Sequence, residues 1–154
     1  MKKFFQIILG ISFLFLLVGC SSQETATFTR KLDRSDFFVT YTYDKNKDTV
    51  TKLKIESTES AEISAGRKQN EELFETLKGI DGVVTSITEK DGKLISTVEI
   101  DLTKNKFSTL KDSDNVFIRS LIRSGYLAGD GDDALFSKSK EAPIKQGFKE
   151  QTKK

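Results

Sequence analysis

The chain has 154 residues with 25 basic and 23 acidic side chains, one cysteine and no histidine. A single cysteine excludes an internal disulfide framework, and the lack of histidine removes the commonest general base and the commonest transition-metal ligand. Near-neutral charge with no basic stripe argues against nucleic acid as a partner.

The N-terminal segment is built for export. Lys2 and Lys3 precede an almost wholly apolar run from Phe4 to Val18, and Leu17-Val18-Gly19-Cys20 is followed by Ser21 and Ser22. About 15 apolar residues fall short of the roughly 20 that a spanning helix needs. Small residues around Cys20 suit a cleavage site, and the segment resembles a bacterial lipobox. That resemblance implies cleavage between Gly19 and Cys20 and a diacylglycerol on the Cys20 thiol, with palmitate among its acyl chains. Two acyl chains hold firmly where one does not, since each buried methylene contributes about 0.8 kcal/mol. Residues 1–19 are therefore expected to be a lipoprotein signal peptide, residues 20–26 a lipidated tether, and residues 27–154 a single α+β domain. Of the 25 basic side chains, Lys2 and Lys3 belong to the signal, and those left equal the 23 acidic ones.

Strand signals start at Thr27 to Leu32, around Phe28. Phe37 to Tyr43 places Phe37, Val39, Tyr41 and Tyr43 on one face, and Thr49 to Glu59 returns with Leu53 and Ile55 inward. Connections this short predict antiparallel neighbours. Arg67 to Lys78 reads as an amphipathic helix with Leu73, Phe74 and Leu77 as its stripe and Gly79 as its stop. Val83 to Lys90 and Lys93 to Leu102 flank Asp91-Gly92, which suits the positive φ angles of a type I′ hairpin turn. Leu94, Ser96, Val98, Ile100 and Leu102 alternate with mostly polar neighbours, the pattern of a sheet covered on one side. A helix capped by Ser113, Asp114 or Asn115 runs to about Ser124, with Phe117, Ile118, Leu121 and Ile122 inward. Gly125 stops it. Asp130 to Asp133 is expected as a loop, a short helix around Pro143 follows, Phe148 folds back, and Lys149 to Lys154 frays. The fold expected is α+β, an antiparallel sheet of about five strands with helices packed on one face. A closed lipocalin-like barrel is the alternative, and the interposed helix and helical C-terminal third argue against it.

Candidate sites are few. Asp130, Asp132 and Glu141 fall at calcium-loop positions 1, 3 and 12, but Leu135 occupies position 6, where the sharp turn needs glycine. No metal and no cofactor is expected. Phe28, Phe37 and Tyr41 could line a groove for a small ligand, although aromatics on one strand face are more often core. Glu99 and Asp101 share a strand face, the only hint of a hydrolase, and no nucleophile–base pair accompanies them.

The order of these elements and their local wording resemble small bacterial lipoproteins of the YehR type. The resemblance is carried by Val39-Thr40-Tyr41-Thr42-Tyr43 with a lysine-rich turn, Lys52-Leu53-Lys54-Ile55 and Ile80-Asp81-Gly82-Val83. Val98-Glu99-Ile100-Asp101-Leu102 and the closing Gly147-Phe148-Lys149-Glu150 complete it. It implies an α+β domain without an assigned activity and supplies no catalytic or binding residues. The functional expectation is a lipid-anchored protein on the extracytoplasmic face of a bacterial membrane. It would be a small binding or envelope-associated domain rather than an enzyme, with membrane lipid through Cys20 as its partner and a protein or small-molecule ligand unspecified. A second expectation is that residues 13–19 are released from the signal as an apolar signalling peptide.

Overall fold

In a computed structural model that describes residues 22–60 and 64–151, six strands form one antiparallel sheet. The first three are β1 (Gln23–Lys31), β2 (Ser35–Asp44) and β3 (Thr49–Ser60), which pair in succession through short turns. Helix α1 (Ser64–Leu77) leads to the hairpin of β4 (Val83–Lys90) and β5 (Lys93–Asp101). Asp91 and Gly92 take φ of 54° and 71°, so the tight turn expected from that dipeptide is present. β5 inserts beside β3 and leaves β4 at the edge, giving the order β4-β5-β3-β2-β1-β8. An open sheet, not a barrel, is the result.

Five short helical and hairpin elements follow. They are α2 (Phe107–Lys111), α3 (Val116–Arg123), a two-stranded hairpin of β6 (Gly129–Asp130) and β7 (Asp133–Ala134), α4 (Phe136–Ser139) and α5 (Glu141–Lys145). The sixth strand of the main sheet, β8 (Lys149–Glu150), pairs with Phe28 and Thr29 of β1. The tail expected to fray is thus docked through Gln151, whose N–H donates to the Thr27 carbonyl at 2.8 Å. Its alternation is too short to announce a strand, and only the unpaired edge of β1 makes it one.

The tether expected over residues 20–26 is shorter than its polar composition suggests. Gln23 to Ala26 belong to β1, facing Asp44 to Tyr41 of β2. Threonine and a buried Ala26 suit a strand once a partner supplies the ladder.

Alternation places the core on one face of the sheet. Phe28, Tyr41, Leu53 and Ile100 have no exposed surface, with Val39, Val50, Leu94 and Val98 beside them. Val50 and Leu53 both face inward because the ladder shifts between Thr42 and Tyr43, leaving Thr51 as the extra residue of β3. The helices close this face with Phe74, Leu77, Leu110, Ile118 and Leu121. The other face carries threonines and the ion pairs Lys52–Glu99 at 2.9 Å and Lys54–Glu56 at 2.7 Å.

The one buried polar residue of β5, Ser96, is matched by α1, where Asn70 Nδ2 donates to Ser96 Oγ at 2.8 Å. α3 begins as its capping signal requires. Asn115 Oδ1 accepts from the N–H groups of Phe117 and Ile118 at 3.0 and 3.2 Å. Its Nδ2 also donates to the Thr76 carbonyl at 2.8 Å, so one side chain caps α3 and ties it to α1. Asn115→Ala is expected to cost about 1–2 kcal/mol, the cap plus the lost tie, measured by urea unfolding.

Candidate functional site

The aromatic set singled out from the sequence is where a groove would have to open. Phe28 and Tyr41 sit across β1 and β2 with ring centroids 6.0 Å apart, edge to face. Phe136 of α4 comes down on Tyr41 at 5.8 Å and stacks on Tyr43 at 3.8 Å. The Tyr41 hydroxyl donates to the Tyr126 carbonyl at 2.9 Å and lies 3.2 Å from that of Ser139. Burial pushes the Tyr41 phenol well above its ordinary pKa, with Tyr126 adding to the shift. A groove lined by Phe28, Phe37 and Tyr41 is therefore not what the fold builds. The C-terminal segment fills that space, and only Phe37 keeps part of its surface. Ser139, fully buried, accepts from the Ala128 N–H at 3.0 Å through its hydroxyl, which holds α4 against the Tyr126–Ala128 segment.

The carboxylates named as a hydrolase hint are each engaged. Glu99 pairs with Lys52. Asp101 accepts from the Thr103 hydroxyl and, at 3.0 Å, the Thr103 N–H, and these bonds hold its carboxyl below the usual range. The Asp130 to Asp133 segment is the tip of the β6–β7 hairpin rather than an open loop. Asp132 takes Lys106 Nζ and Ser108 Oγ, both at 2.6 Å, and Lys106 is the first cause of its lowered pKa. Among the described residues no group of three or more acidic, cysteine or histidine side chains is placed to hold a metal ion. Gly19 and Cys20, and residues 13–19 as a whole, lie outside the described residues.

The recessed surface lies elsewhere. A cleft of about 550 Å³ opens where the β1–β2 turn, the end of β3 and the β4–β5 turn meet, between Asp33, Arg34, Glu59 and Lys93. Register brings these together, since Ser35 faces Glu59 and Ser60 faces Lys93. A second cleft of about 440 Å³ lies at the opposite end of the sheet. Thr25, Thr42, Thr51 and Lys52 line it with Asp101 and Thr103. Sequence reasoning missed both clefts. The turn residues were visible, but which turns share an end of the sheet follows only from strand order. Both clefts are lined by side chains of both charges and by hydroxyls, with polar and apolar surface in comparable shares.

Comparison with known proteins agrees with this fold. The solved structure of the E. coli YehR protein superposes with a TM-score of 0.63 over 86% of this chain and 93% of that one, at 24% identity. A protein from Streptococcus pneumoniae TIGR4 superposes with a TM-score of 0.60 over 98% and 96%, at 15% identity. At these identities the likeness is one of fold. The uncharacterized lipoprotein Lmo0207 of Listeria monocytogenes is 38% identical over 96 residues, a match spanning 58% of this chain and 61% of that relative's length. The uncharacterized lipoprotein Lin0239 of Listeria innocua is 34% identical over 144 residues, 88% of this chain and 86% of that one. With a family match over residues 24–127 as well, the chain belongs to the lipoprotein-containing family described as "Protein of unknown function (DUF1307)".

Proposed function

We propose that the protein is anchored by a diacylglycerol on Cys20 to the extracytoplasmic face of a bacterial membrane and acts there as a small non-catalytic binding domain of the envelope. The observation that carries the reading is the run Leu17-Val18-Gly19-Cys20-Ser21-Ser22 behind a charged and apolar leader, in a chain whose Listeria relatives are lipoproteins. The domain itself fits the role. Its acidic groups Glu99, Asp101 and Asp132 are taken up by lysine or threonine partners.

Cys20→Ala is the direct test. The variant is expected to lose incorporation of labelled palmitate, to retain its signal peptide, and to float no longer with membranes as a diacylated protein. Continued palmitate labelling of Cys20→Ala would overturn the reading, because no other residue of the chain carries a thiol.

A further inference from the structure

We propose that the end of the sheet formed by the start of β1, the β2–β3 turn and the segment after β5 is the surface that rests on phospholipid headgroups. The opposite end, with its cleft between Arg34 and Lys93, then stands away from the bilayer. The inference rests on anchorage through Cys20 and goes beyond it, since a lipid anchor alone leaves a domain free to adopt any attitude.

The first observation is how little chain separates the anchor from the sheet. Only Ser21 and Ser22 stand between Cys20 and the first residue of β1, and the Lys45 N–H already holds the Ser22 carbonyl at 2.8 Å. At about 3.6 Å per residue the step from Cys20 to Gln23 spans no more than about 11 Å. The second is the direction of β1. Its 9 residues run straight away from that point and, at about 3.3 Å each, carry the β1–β2 turn about 30 Å further out. Antiparallel pairing fixes what shares each end. Gln23 lies opposite Asp44, and Lys52 of β3 lies opposite Asp101 of β5.

The third observation is chemical. The anchored end presents the exposed ammonium groups of Lys47 and Lys104, and its cleft adds the hydroxyls of Thr25 and Thr42. These are donors matched to lipid phosphates, which attract lysines held near the surface. Three acidic groups at this end are engaged: Glu24 with Lys45 at 2.8 Å, Asp132 with Lys106, and Asp44 with the N–H groups of Asn46 and Lys47. A domain lying flat on its open sheet face would instead set the ion pairs Lys52–Glu99 and Lys54–Glu56 on the bilayer, with Val84 the one large exposed apolar side chain there among the described residues.

Site-specific fluorescence quenching tests the attitude. Lipidation blocks the Cys20 thiol as a thioether, so Asn46→Cys and Lys93→Cys each offer one reactive thiol on the full lipidated chain. The labelled proteins are added to preformed vesicles of phosphatidylglycerol and phosphatidylethanolamine containing a lipid with a nitroxide on its headgroup. Asn46 is expected to be quenched about fivefold more strongly than Lys93, because a label some 30 Å further along the strand lies beyond contact range. Equal quenching, or stronger quenching at Lys93, from protein that floats with the vesicles overturns the orientation and leaves the anchor standing. Protein that fails to float overturns the anchor and the orientation with it.

Discussion

Phe28→Ala is expected to lower the unfolding free energy by about 3–5 kcal/mol, the range for removing a buried aromatic ring and leaving a cavity. Phe28 has no exposed surface, lies edge to face with Tyr41, and belongs to the strand that pairs with β2 on one side and with the distant C-terminal β8 on the other. Its replacement therefore strips a ring from the inner face of β1, where β8 has only a two-residue ladder to hold it. The measurement is urea unfolding followed by circular dichroism, with a lower midpoint and an unchanged slope. Phe37→Ala serves as the contrast: Phe37 keeps part of its surface, so less apolar area returns to water and the loss is smaller. A Phe28→Ala protein as stable as the parent would mean that the ring lines an open groove rather than the core.

Tyr41→Phe is expected to cost about 1–3 kcal/mol at neutral pH, because the ring stays and only the hydroxyl is lost. That hydroxyl serves the carbonyls of Tyr126 and Ser139, one part-buried and one buried, on the segment that closes the core. The pH dependence identifies the cause. Burial raises the phenol pKa of Tyr41 in the folded state, so its contribution is fully present below the unfolded value near 10 and is lost as pH rises beyond it. The stability gap between the parent and Tyr41→Phe should therefore narrow above about pH 10, since only the parent's unfolded state gains from ionising this phenol. A gap that stays constant to pH 11 would show that the hydroxyl is solvated rather than buried.

Local patterns account for most of the sheet and little of its surroundings. Asp91-Gly92 announced its hairpin because few residue pairs accept positive φ at two successive positions. Ser113, Asp114 and Asn115 together announced α3 because such side chains can take the first free N–H groups of a helix, and Asn115 is the one that does. The helix α2 was not legible: Phe107 to Lys111 is a single turn, too short for periodicity, and it exists because Phe107 and Leu110 have a core to enter. Phe28 and Tyr41 illustrate the same limit at the candidate site. Aromatic residues at alternate positions read equally well as a groove or a core until it is known what lies over them.

The sequence by itself carried the proposal of an export and lipidation signal at Cys20, and it determined the antiparallel hairpins and the inward faces of β2, β3 and β5. All of these depend on neighbours within a few residues, where side-chain period and turn chemistry act directly. Tertiary structure alone decided that β5 inserts beside β3, that Lys149 and Glu150 become a sixth strand against β1, and that Phe136 covers Tyr41. It also decided which turns share an end of the sheet, and so which cleft lies where β1 begins and which lies where β1 turns into β2. Such contacts join residues from about 30 to about 120 positions apart, and their free energy comes from apolar area buried between elements, which no local window of sequence contains.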